Sequence, residues 1–128
     1  MQALLLGAVV AVPSVAPEAF CRAVVEALAL GRPVVAAEGG GISEIHAALR
    51  AAGGERFARR LRLVPPGDPA ALHAALEEAL RAESPAGGGW PGGEPSGPAR
   101  QVADFVRARW DVGRMCEREL EAYRGLLR

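Results

Sequence analysis

Two cysteines in 128 residues are too few for a disulfide scaffold, and nothing near Cys21 or Cys116 has metal-ligand spacing. Both read as reduced thiols of a cytosolic protein, and neither is assigned a catalytic role. Net charge is missing too, because fifteen basic and fifteen acidic side chains cancel. Without a long-range field or a basic stripe, the chain is not expected to bind nucleic acid, which disfavours a helix-turn-helix or similar module and leaves any polyanion contact local. No apolar run is long enough to span a bilayer: the opening run of about a dozen residues falls short of a transmembrane helix. Nor does a basic segment precede it, as in a signal peptide. What is abundant is apolar side chain, 50% of the residues, enough for one buried core.

That apolar content is organised. Residues 3 to 6 read as a broken helix end that turns at Gly7 into a strand, residues 8 to 12, so the chain opens as a domain would if cut. Three times an apolar, β-branched run gives way to a Pro-, Gly- or Asp-rich turn and then to a helical pattern. Strands are expected at 8–12, 33–37 and 61–64. They are followed by helices from about Cys21 to Leu30, Ile42 to Ala52 and Pro69 to Glu83. Gly31 and Pro33 stop the first helix, while Asp68 caps the third and Pro69 occupies its first turn. The class is therefore α/β, with a parallel sheet covered on both faces. Residues 84–99 hold six glycines and four prolines, with Trp90 among them, and read as a flexible connector. Residues 100–128 follow as two amphipathic closing helices. Val102, Phe105, Val106 and Trp110 lie on one stripe, and Met115, Leu120, Tyr123 and Leu127 are available to the next.

Ligands of an open parallel sheet lie beyond the carboxyl ends of the strands, where following helices offer unpaired N–H groups to anions. The candidate site is thus built from Pro13 to Phe20, Glu38 to Ser43 and Pro65 to Asp68. Glu18 and Glu26 stand eight residues apart, one in the first loop and one in the apolar helix after it. A carboxylate among Val24, Val25, Ala27 and Leu28 needs a partner. One partner is Arg22, four residues earlier, in a pair worth about 0.3 to 0.5 kcal/mol in a weak orientation. The other is the vicinal hydroxyl pair of a ribose, and spacing leaves the two readings level. Gly39, Gly40 and Gly41 permit close approach of a phosphate or sugar to the backbone, although a plain βα turn explains them as well. Glu44 alone reads as a first-turn residue favoured by the helix dipole. His46 and His73 lack partners in sequence and read as structural or surface residues.

Taken in order, PSVAPEAFCRAVVEALALGRPVVAAEGGGISE at 13 to 44 and LRLVPPGDPAALHAALEEAL at 61 to 80 resemble the retaining, two-Rossmann-domain glycosyltransferases often called family four. The paired glutamates, the Gly-x-Pro-Val-Val strand, the Gly-Gly-x-x-Glu turn and the Val-Pro-Pro-Gly-Asp turn carry the likeness. The resemblance implies the Rossmann-like C-terminal domain of a GT-B fold, with residues 1–83 forming the sugar-nucleotide-binding portion. It implies a UDP- or GDP-sugar as substrate, no cofactor, no obligatory metal, and hexosyl transfer to a hydroxyl acceptor with retention. Glu18 would hold hydroxyls of the transferred sugar and carry the catalytic role by stabilising developing positive charge. Glu26 would bind the ribose. Backbone N–H groups at Phe20, Cys21 and Arg22 would face the sugar or diphosphate, and Gly40, Gly41 and Glu44 would shape the neighbouring wall.

Two departures from the family pattern bear on the site. Cys21 stands where the family usually has glycine, which raises the prospect of crowding or altered φ. The acceptor domain and the early basic strands of the donor domain are not among these 128 residues, and Arg22 is the one cation of the first loop and helix. The expectation is a donor-binding portion inactive alone, partnered by an N-terminal Rossmann domain or a subunit supplying one. Its localisation is expected to be cytoplasmic, with the inner-membrane periphery open to a full-length enzyme. The alternative is a non-catalytic orphan domain that self-associates or docks to a subunit through an exposed sheet edge.

Overall fold

The computed structural model describes residues 8–16, 19–83 and 94–128, without the side chains of Val112, Met115 and Glu119. The expected helix end at 3 to 6, Glu18, Trp90 and most of the connector lie outside the described residues. The elements run β1 (Val10–Val12), α1 (Arg22–Ala29), β2 (Val34–Ala37), α2 (Gly40–Ala58), β3 (Leu61–Val64), α3 (Pro69–Glu83), α4 (Gly97–Arg109) and α5 (Val112–Leu126). The three strands form one parallel sheet in the order β1-β2-β3. Val10 pairs with Val34, and Val34 in turn with Leu61.

Strand periodicity divides the core. Val34 and Ala36 join the larger cluster, with Val24 and Leu28 of α1, Ile45 and Leu49 of α2, and Val102 and Val106 of α4. Val35 joins the smaller one, where Val64 and Ala79 are buried and Leu72, Ala75 and Leu76 of α3 pack around them. Thus α1 and α2 cover one face, with α4 stacked on both, and α3 covers the other. All four residues of β2 are buried, as a central strand between two helical layers requires.

Several boundaries have local physical causes. Gly31 at φ 75 ends α1, and the N–H groups of Gly31 and Arg32 return to the carbonyls of Leu28 and Ala27. The break expected after Ala52 is present at Gly53 and Gly54, whose angles are non-helical, but one more turn follows to Ala58. Phe57 in that turn lies against Gly53 and forms a tilted ring pair with Phe105. Asp68 caps α3 by accepting from the Ala71 N–H at 2.9 Å.

The connector region ends earlier than its composition suggests. Pro95 packs directly on Gly31, and α4 begins at Gly97 with Pro98 in its first turn. The stripe expected on this helix is present, with Val102 and Val106 buried and Phe105 and Trp110 against the core. In α5, by contrast, Leu120, Tyr123 and Leu126 are exposed.

A polar cluster at the amino ends of the strands has no counterpart in the sequence reading. Arg60 pairs with Glu83 and donates to the Gly31 carbonyl at 2.6 Å. Arg32 is buried nearby, and desolvation lowers its pKa while Glu83 opposes the shift. The cluster ties the end of α3 to the segments that lead into β2 and β3.

Candidate functional site

At the carboxyl ends of the strands, the Cys21 residue that departs from the family's glycine has an ordinary geometry. It is the N-cap of α1 at φ −92, so the backbone there does not demand glycine. Its side chain is 3% exposed and belongs to the larger core cluster. The sulfur therefore fills the interior and does not crowd the loop surface. Phe20 before it and Arg22 after it are exposed. The Cys21 side chain makes no capping bond to α1, and the positive end of this helix's dipole lies at the carboxyl edge of the sheet.

The glycine run is used in two distinct ways. Gly40 opens α2 at φ 48, a conformation that side chains with a Cβ rarely adopt. Gly41 is needed for space, since a Cβ there would lie 2.4 Å from the Ala19 carbonyl oxygen and 3.1 Å from the Phe20 Cα. The Gly39 N–H donates to the Ser43 hydroxyl at 3.1 Å and holds the turn. In this structure, then, the surface of Gly41 is occupied by the first loop's backbone. Glu44 is exposed and lies beyond the first turn of α2, because the helix begins two residues earlier than the sequence pattern implies.

Glu26 meets Arg22 at 3.2 Å, so one of its two expected partnerships is formed. With side-chain exposures of 82% for Arg22 and 33% for Glu26, the pair is solvent-screened. A ribose diol would compete with a weak bond. The same geometry gives Arg22 two claims, because the cation nearest the start of α1 is already engaged by Glu26.

The third turn is joined to the first, though at a different place. Pro13, Ala37, Val64, Pro65, Gly67, Asp68 and Leu72 are among the residues around a mainly apolar hollow of about 180 Å³. That is smaller than a typical small-molecule site of about 300 to 1,000 Å³. Phe20, Arg22, Glu26 and Glu44 do not line it. The structure therefore joins the first loop to the glycine run through Ala19 and Gly41, and to the third turn through Pro13. Sequence reasoning missed the Gly41 contact because a glycine that makes room for neighbouring backbone looks the same in sequence as one that makes room for a ligand.

His46 is half-buried on α2, and burial together with Arg50 lowers its pKa against the opposing fields of Glu55 and Glu38. His73 is exposed on α3. The two remain apart on different helices, as expected. Among the described residues, no helix is long and apolar enough to cross a membrane.

Among the described residues, a three-stranded parallel sheet between helical layers, with a glycine turn and a helix start meeting at its carboxyl edge, is Rossmann-like, and its structural match places it with GT-B domains. The family model described as "Glycosyl transferases group 1" matches residues 1–82, and the chain belongs to that family. Among solved structures, Anabaena Alr3699/HepE in complex with UDP is 25% identical with a TM-score of 0.69, over 97% of this chain. The same protein in complex with UDP-glucose is 24% identical with a TM-score of 0.64, again over 97% of this chain. In both cases this chain spans 29% of the length of the matched chain. Comparison with curated proteins finds no match.

Proposed function

We propose that this chain supplies the nucleotide-sugar half-site of a retaining glycosyltransferase whose donor is a UDP-hexose. The main support is the direct packing of the Ala19–Phe20 backbone on Gly41, which brings the start of α1 and the start of α2 into one wall at the carboxyl edge. Both helix starts place the positive end of a helix dipole there, which suits a diphosphate. The UDP and UDP-glucose complexes of Alr3699/HepE favour uridine over guanosine as the base.

In this reading Glu26 exchanges Arg22 for the ribose hydroxyls, which releases Arg22 toward the diphosphate. Backbone N–H groups around Phe20, Cys21 and Arg22, at the amino end of α1, face the diphosphate or sugar. Gly40, Gly41 and Glu44 form the adjoining wall, and Glu18 holds sugar hydroxyls. The bond from the anomeric carbon to the diphosphate oxygen breaks while the acceptor oxygen attacks from the same face. The acceptor's proton passes to the departing diphosphate, and Glu18 stabilises the positive charge that develops on the sugar. No metal is required by this scheme.

Titration of the chain with UDP and UDP-glucose, followed by amide NMR, tests the reading. Shifts concentrated in residues 13–22 and 38–44 are expected. Saturable shifts elsewhere, with both loops silent, would refute it. A second reading, docking to another protein surface, is favoured by β1, which among the described residues pairs only with β2. Light scattering coupled to size exclusion tests that alternative, and a monomer at all concentrations counts against self-association.

A further inference from the structure

We infer that Gly41 is a positioning residue, which sets the sugar-facing loop by accepting the Ala19 carbonyl where a side chain would otherwise stand. The inference rests on the proposed donor site and assigns one residue a task within it.

A methyl at position 41 would meet the Ala19 carbonyl oxygen at 2.4 Å, its carbon at 3.0 Å and the Phe20 Cα at 3.1 Å. All three are backbone atoms, so no rotamer change relieves the clash, and the peptide itself has to move. Neither helix offers easy relief. Cys21 and Ile42, the residues adjoining the two sides of the contact, are both buried in the larger core cluster. The displacement is therefore taken up by Ala19 and Phe20, which are exposed. Ala19 immediately follows Glu18, the residue assigned to the sugar hydroxyls.

Gly41 is also the diagnostic position in the run. Gly40 has φ 48, so its replacement strains the backbone whatever the space around it. Gly41 is not among the glycines of positive φ, so alanine there tests the contact alone. A glycine that merely admits a phosphate would affect UDP and UDP-glucose equally when filled. A glycine that seats the sugar loop affects the sugar contribution.

The experiment compares UDP with UDP-glucose binding by calorimetry for the wild-type chain, Gly41→Ala, and the control Gly125→Ala, whose added methyl meets nothing within 4 Å. Gly41→Ala is expected to weaken UDP-glucose about tenfold and UDP less than about twofold. Saturation-transfer signals of the glucosyl protons should fall relative to those of uracil, while Gly125→Ala behaves as wild type. If Gly41→Ala does not retain the wild-type circular dichroism, Ser43→Ala carries the test. Loss of the bond from the Gly39 N–H loosens the same turn and should produce the same sugar-selective loss, smaller in size. Equal weakening of UDP and UDP-glucose would overturn the positioning role and leave the nucleotide site standing. A wild-type chain that binds neither compound would overturn both.

Discussion

The two ends of the sheet handle charge in opposite ways. At the amino ends, Arg32, Arg60 and Glu83 are drawn into the protein, with side-chain exposures of only 12% for Arg60 and 17% for Glu83. At the carboxyl ends, Arg22 and Glu26 form a screened pair on the surface, beside glycine-dependent turns. A charge held in low dielectric is costly to unpair, whereas a screened pair is easily exchanged. The first arrangement suits a structural clasp. The second suits a site that has to trade protein contacts for ligand contacts.

This contrast can be broken most forcefully at the amino end. Glu83→Gln removes the carboxylate that pairs with Arg60 and whose field acts on Arg32, and should lower unfolding stability by about 3 kcal/mol. Urea denaturation measures the loss, and UDP affinity should be unchanged. A smaller energy is expected from Glu26→Gln, whose stability cost should stay within about 0.5 kcal/mol because its pair is exposed. Its UDP affinity should nevertheless fall about tenfold, since a charge-assisted hydrogen bond to the ribose is lost. If both variants change stability alike, the proposed division between clasp and site fails.

The smallest effect concerns His46, beside the groove at the β3 edge that Arg50, Glu55, Arg62 and Glu78 also line. Its folded pKa lies below the ordinary value, so the unfolded chain binds the proton more tightly. The stability linked to His46 is therefore complete above about pH 6.5 and is lost as pH falls through the lowered folded value. Urea midpoints compared between pH 7.5 and 5 should decline less for His46→Gln than for wild type. An equal or steeper decline in the variant would contradict the shift.

Much of the fold was legible because it rests on local signals. The apolar β-branched runs at 34–37 and 61–64, the Gly31 stop and the Asp68 cap act over a few residues, and each lies where its chemistry implies. The start of α2 was less legible, since glycine carries a weak helix signal and only the turn held by Ser43 brings Gly40 into the first turn. In the site, the i, i+4 spacing made Arg22 one of two named partners for Glu26, and the structure contains that pair. Cys21 does not crowd the loop because its side chain points into the core, an orientation that the residue type does not state.

By itself, the sequence determined the alternation of strands and helices, the parallel sheet and the family, because hydrophobic period, turn chemistry and motif order are properties of neighbouring residues. Tertiary structure alone decided that Gly41 faces the Ala19 carbonyl and that Arg60 pairs with Glu83. Those contacts join residues more than twenty positions apart. Their partners are chosen by how the layers pack, and no local periodicity encodes that choice.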